Sequence, residues 1–180
     1  MRLSAEERRE QLLEVTKRIV LEGGFHAVSI EAVAREAGIT RPIVYGHFND
    51  LPGLLDALVD REGRRALAQL ETVLPQPDLL EALRAYLEAV RADPDTWRLV
   101  LMPQEGAPRI LHERIARGRE AIVARLAHGL EPDAGLPDPE LAAHLLSAYA
   151  DESARLVLTG RFPAERILDL SRWLLGRLRR

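Results

Sequence analysis

The sequence predicts an all-α fold, with a small N-terminal group of helices joined to a larger helical bundle. Three observations carry that expectation. Apolar residues recur at helical period along almost the whole chain. No stretch shows the sustained apolar–polar alternation, rich in β-branched and aromatic residues, that marks strands. Breaks rich in glycine and proline cut the periodic segments into pieces of helix length. With 180 residues, 47% hydrophobic and 29% charged, the chain has the means to bury a core without staples.

The first helix is expected over Ala5–Glu22, with Leu12, Val15, Ile19 and Val20 on one side and Gly23-Gly24 as its stop. A short second helix follows Ser29, a good N-cap, with Glu31 favourably placed in the first turn. Its apolar stripe is Ile30, Val33, Ala34 and Ala37, and Gly38 ends it. Thr40 is positioned to cap a third helix running to Phe48, where Pro42 is tolerated because first-turn amides have no helical acceptor to lose. Asn49-Asp50 then caps a longer helix reaching about Leu70, which joins the two halves of the chain. Beyond it, breaks at Pro75–Asp78, Asp93–Asp95, Pro103–Pro108, Gly129–Pro139 and Gly160–Pro163 separate four further helices. Their apolar positions are Leu79 to Val90, Leu111 to Leu126, Leu141 to Leu156 and Ile167 to Leu178. Asp151 is spaced to pair with Arg155 at i, i+4. The domain division expected is 1–48 and 49–180.

Composition narrows the function. The absence of cysteine removes disulfide frameworks, thiolate metal sites and cysteine nucleophiles, and fits a reducing cytosol. No apolar run approaches the roughly 18 residues of a membrane span, and the charged start is unlike a signal peptide, so a cytoplasmic protein is expected. A net charge of −3 argues against nonspecific coating of nucleic acid but leaves room for a site-specific binder with few, local basic contacts. No enzyme motif is found. His112-Glu113 lacks a second histidine four residues on, and there is no phosphate-cradling glycine loop, no nucleophile elbow and no EF-hand spacing. No cofactor and no metal site are expected.

Ser29 to Phe48 is the informative segment. A short helix, a turn entered through glycine and a second short helix make a helix-turn-helix, whose second helix enters the major groove when the unit binds DNA. Val44 and Phe48 are expected to anchor that helix, Ile39 to fill the gap between the helices, and Thr40, Arg41, Tyr45 and His47 to face outward. A helical hairpin in an ordinary bundle, with a merely solvated outer face, fits the same pattern.

Gly24-Phe25, Ser29, Val33-Ala34, Ala37-Gly38-Ile39-Thr40 and Val44-Tyr45-Gly46-His47-Phe48, followed by Leu54-Leu55, resemble the N-terminal signature of the TetR (tetracycline repressor) family. The likeness extends over about residues 8–58. It implies a transcriptional regulator, most often a repressor, that binds a palindromic operator as a homodimer. By the same resemblance, Ser29 meets a phosphate through its hydroxyl and the exposed amides of its helix, and Thr40 meets a phosphate or a base edge. Arg41 reads a guanine, Pro42 packs on a thymine methyl, and Tyr45 and His47 bond phosphates. The chain departs from the family at Leu51, where a phosphate-binding lysine is usual. Residues 1–48 carry seven basic and seven acidic residues, so affinity should rest on few contacts, chiefly Arg8, Arg9 and Arg41, with a shallow salt dependence.

The resemblance further implies a small-molecule effector bound inside the C-terminal bundle, of a kind the sequence does not identify. Candidate lining residues are Tyr86, Trp97, Met102, Tyr149 and Glu152, with Thr96–Met102 as a flexible wall; ordinary core packing fits most of them too, and Glu152 fits a rim carboxylate. The dimer is expected through Leu141–Leu158 and Ala164–Leu178, where Leu145, Leu146, Leu170, Leu174 and Leu175 offer more apolar surface than one face of a monomer needs. Trp173 fits an interface anchor or the core. The alternatives are a helical protein that binds or sequesters a small molecule, and a regulator controlled by a protein partner.

Overall fold

Residues 3–73, 78–102, 106–107, 109–130 and 136–178 are described by the structure, a computed structural model. Among these residues the chain is all-α, with no strand. The helices are α1 (Ala5–Gly23), α2 (Ile30–Glu36), α3 (Arg41–Phe48), α4 (Leu51–Val73), α5 (Leu79–Ala92), α6 (Pro94–Leu101), α7 (Arg109–Leu130), α8 (Pro139–Leu158) and α9 (Ala164–Leu178), and a 3-10 turn spans Phe25–Ala27. They form two units, Met1–Arg64 with Pro103–Ile115, and Arg65–Met102 with Ala116–Arg180; the division falls inside α4 and α7.

In the first unit the local chemistry sets each boundary. Ser4 and Glu7 form a reciprocal cap at the start of α1, the Glu7 amide donating to Ser4 Oγ and the Ser4 amide to Glu7 Oε2. Ser29 Oγ accepts the Ala32 amide at 3.1 Å and starts α2. Gly38, at φ 65°, makes the turn into α3, a geometry that costs a residue with Cβ. Thr40 occupies the N-cap of α3 as expected, but its side chain makes no capping bond; the Ile43 amide reaches the Thr40 carbonyl instead, at 3.1 Å. Asp50 Oδ1 accepts the Gly53 amide at 2.7 Å and caps α4 as expected. Leu12, Leu13 and Val20 from α1, Val33 from α2, Val44 and Phe48 from α3, and Leu54 and Leu58 from α4 are buried. Each such side chain contributes roughly 1.5–3 kcal/mol on burial.

This unit also buries an ion pair. Lys17 Nζ lies 2.8 Å from Glu62 Oε2, with both side chains withdrawn from solvent. Arg61 caps the pair from the rim, reaching Glu62 at 2.6 Å, Glu14 at 3.0 Å and Glu10 at 3.2 Å. The cluster ties α1 to α4 by charge as well as by apolar contact.

The second unit packs α5 against α8 and α9, and α6 against α8. Its core gathers Leu83, Tyr86, Leu87 and Val90 with Trp97, Leu101, Ala154, Ile167 and Leu168. Two expectations are corrected here. Thr96–Met102, expected as a flexible wall between two breaks, lies almost wholly in a helix of its own: α6 starts directly at Pro94 and buries Thr96, Trp97, Leu99 and Leu101. The expected break at Asp93–Asp95 is present, narrowed to Asp93 between α5 and α6; the helix behind it is the addition, and Pro94 starts it from the first helical position. Asp151 does not pair with Arg155; it accepts from Tyr86 and pairs with Arg119 of α7, while Arg155 donates to the Leu101 carbonyl at 3.0 Å and to Glu152 at 3.2 Å. Of the remaining expected breaks, Asp78 and Asp138 cap α5 and α8, and Thr159–Pro163 turns the chain into α9. Residues 75–77, 103–105, 108 and 131–135 of those breaks, and the Leu178 side chain, lie outside the described residues.

Candidate nucleic-acid interface

The helix-turn-helix divides α3 sharply into two faces. Val44 and Phe48 are buried, whereas Thr40, Arg41, Pro42, Ile43 and Tyr45 stand on the exposed face, Ile43 at 43% and Tyr45 at 46% of full exposure. Such a buried–exposed split is what a helix needs to be held by its own domain while offering side chains to a groove.

Each sequence-nominated residue has a definite place. The Ser29 hydroxyl already accepts the Ala32 amide, and its own proton remains available to donate. Arg41 lies across the mouth of the turn with Nη1 2.9 Å from Glu31 Oε1. That hydrogen bond, together with the charge of the guanidinium, holds the Glu31 carboxyl below its ordinary range, so the pair is fully charged at neutral pH. Tyr45 presents its ring outward. His47 is half-buried, its ring tilted against Phe48 with centroids 6.1 Å apart. Leu51, in place of the lysine usual in the resembled family, is half-buried at the start of α4.

Two features escaped the sequence reading. Ile43, to which the apolar pattern assigns no role, stands in the open beside Pro42 and Tyr45. Arg9, expected from the sequence to contact a phosphate, donates from Nη1 to the His47 carbonyl at 3.2 Å and sets its guanidinium 4.5 Å from the centre of the Phe48 ring. It satisfies one of the carbonyls left open at the C-terminal end of α3 and stacks on the residue that anchors that helix. A partner 38 residues away leaves no local signature. Arg8 turns instead to Gln11 at 2.5 Å.

In the second unit the nominated ligand residues separate into groups. Tyr86 and Trp97 meet edge to face, 5.1 Å between centroids, within the core cluster, and Met102 packs against that cluster. The Trp97 indole donates to Gln69 at 2.7 Å, Gln69 donates to Asp93, and Asp93 pairs with Arg65. Burial, and secondarily the charge of Asp151, push the Tyr86 hydroxyl well above the usual tyrosine range. Tyr149 lies apart on an exposed face, bonded to Ser171 at 2.8 Å, and Glu152 is exposed and paired with Arg155. The Tyr149 face continues through Leu141, Leu145, Leu170, Trp173 and Leu174, all exposed, so Trp173 is not core in the single chain. Among the described residues no group of His, Asp or Glu is arranged to hold a metal, and no helix is long and apolar enough to cross a membrane.

Residues 12–58 match the family described as bacterial regulatory proteins, tetR family. Over nearly its full length the chain is similar to a TetR-like transcriptional regulator from Rhodococcus sp. RHA1, at 25% identity and a TM-score of 0.78, covering 94% of this chain and 93% of the other. A second transcriptional regulator from the same Rhodococcus is 22% identical with a TM-score of 0.69, over 89% and 90% of the two chains. One from Aquifex aeolicus VF5 is 19% identical with a TM-score of 0.68, over 95% and 99%.

Proposed function

We propose, from the premise that the chain belongs through residues 12–58 to the tetR family of bacterial regulatory proteins, that it is a cytoplasmic, sequence-specific DNA-binding transcriptional repressor acting as a homodimer on a palindromic operator. The observation that supports this most is the exposed face of α3, where Arg41 and Tyr45 stand beside Pro42 and Ile43 above a buried Val44–Phe48 anchor. Such a face combines a fork for guanine with apolar surface for a thymine methyl. One short helix reads too few base pairs for specificity, so two-fold symmetry is part of the reading. The exposed leucines and Trp173 on α8 and α9 are the surface we assign to that dimer.

Residues 1–48 are assigned to reading DNA and 49–180 to dimerisation and effector binding; the protein is read as a binder rather than an enzyme. A small molecule that prefers one tilt of α4 would release the operator, since a ligand shifts an equilibrium only by its difference in affinity for the two states. Tyr86, Trp97 and Met102 are the residues we place nearest such a ligand. The test is an electrophoretic shift with genomic fragments flanking the chain's own gene. A shift at low salt that survives excess random duplex supports the reading; folded protein that shifts no fragment selectively rejects it.

A further inference from the structure

The open cleft between α2 and α3 is floored by Ala34 and Ile39 and walled by Glu31, Arg35, Arg41 and Pro42. Across it Glu31 holds one corner of the Arg41 guanidinium, and both side chains are more than half exposed. An exposed ion pair of this kind adds little to stability. Its placement is what matters. With Nη1 taken by Glu31, the Nε–Nη2 edge of the fork remains as a two-donor surface, and the second carboxylate oxygen of Glu31 remains as an acceptor beside it. A carboxylate facing DNA is repelled by phosphates and finds favourable partners only at base amino groups.

The major-groove edge of a G·C pair offers the matching pattern, with O6 and N7 of guanine as acceptors and N4 of cytosine as a donor. We propose that Glu31 and Arg41 act as one reading unit, Arg41 taking a guanine and Glu31 the amino group of a cytosine in the same or the adjacent base pair. The inference rests on the DNA-binding reading above and makes Glu31, on the first helix of the motif, a determinant of sequence preference. It also gives Glu31 a positioning role, since the carboxylate keeps Arg41 from swinging to a phosphate.

The experiment is site selection from a random duplex library by the full-length chain and by its Glu31→Gln and Glu31→Ala variants, followed by competition at each selected position. Circular dichroism confirms that the exposed substitutions leave the fold intact. The wild type is expected to select guanine, with cytosine in the same or the next pair. Glu31→Ala should lose about tenfold of the cytosine preference and relax the guanine preference, while binding random duplex more tightly for want of one negative charge. Glu31→Gln should shift selection at the cytosine position toward adenine, whose N6 and N7 suit an amide. If all three proteins select the same bases with the same ratios, and only overall affinity moves, Glu31 is an electrostatic bystander and the inference is overturned. If the wild type selects no sequence at all, the DNA-binding reading itself fails and takes the inference with it.

Discussion

Arg9 distinguishes two ways in which a basic residue can serve a DNA-binding helix. The side chain donates to the His47 carbonyl and lies over the Phe48 ring, so its expected role is to hold the C-terminal end of α3 rather than to touch a phosphate. A hydrogen bond from a charged donor contributes roughly 1.5–3 kcal/mol, its lower end applying to a half-exposed group. The stacked guanidinium adds about 0.5–1 kcal/mol. Arg9→Ala should therefore destabilise the protein by about 2 kcal/mol, a fall of roughly 4–8 °C in Tm for a chain of this size. Arg9→Lys is the sharper variant. Lysine keeps the charge and meets a phosphate well as a point charge, but it lacks the planar fork that stacks on Phe48 while donating to His47, and should recover less than half of the loss. Thermal unfolding by circular dichroism at fixed protein concentration gives the stability, and the salt dependence of binding to a selected duplex gives the number of phosphate contacts. Both variants should bind more weakly with an unchanged salt slope. The reasoning is refuted if Arg9→Lys matches the wild type in Tm and affinity while Arg9→Ala lowers the slope by about one.

Replacing Leu145 or Trp173 by glutamate should turn the proposed dimer into monomers at micromolar concentration, which sedimentation velocity reads directly; an unchanged sedimentation coefficient places the interface elsewhere. Gly53→Ala should cost at least about 2 kcal/mol in urea denaturation, because a Cβ there would stand 2.3 Å from the Phe48 carbonyl oxygen, and a wild-type midpoint would contradict that crowding. For the buried Lys17–Glu62 pair, Lys17→Met and Glu62→Leu together should cost less than the sum of the single changes by about 2 kcal/mol or more, and additive losses would show that the two charges do not depend on one another. Tyr86 retains its proton in the folded state beyond the pH at which an unfolded tyrosine releases it, so its contribution is complete below about pH 10 and is lost as the pH rises further. Tyr86→Phe should flatten the alkaline fall in stability, and an unchanged profile would show that another group causes it.

Much of the helix-turn-helix was legible because its signals are local. Ser29 caps within three residues, Gly38 needs a positive φ that few side chains tolerate, and Val44 and Phe48 lie four apart on one face. The all-α class followed from periodicity alone. What stayed hidden depended on distant partners or on position within an element. Arg9 and His47, and likewise Lys17 and Glu62, meet only after the chain has folded back on itself. The break at Asp93 was legible but α6 behind it was not, because Pro94 marks the end of one helix and the first turn of the next alike. Ile43 received no role because a pattern of apolar residues does not say which of them the fold leaves outside. Aromatic and polar character does not separate ligand residues from core or surface ones; Tyr86 and Trp97 meet in the core while Tyr149 and Glu152 face outward.

The central claim is that the exposed face of α3 reads base sequence, and Arg41 carries the sharpest form of it. The decisive measurement is the affinity of wild type and Arg41→Ala for a selected site and for duplexes carrying each single base-pair change in one half-site. A loss of about 1–3 kcal/mol at the selected site, with discrimination abolished at one base pair per half-site and kept elsewhere, is the result the account requires. Equal weakening on every duplex, random DNA included, would make Arg41 a phosphate contact and remove base reading from the face on which the proposed function rests.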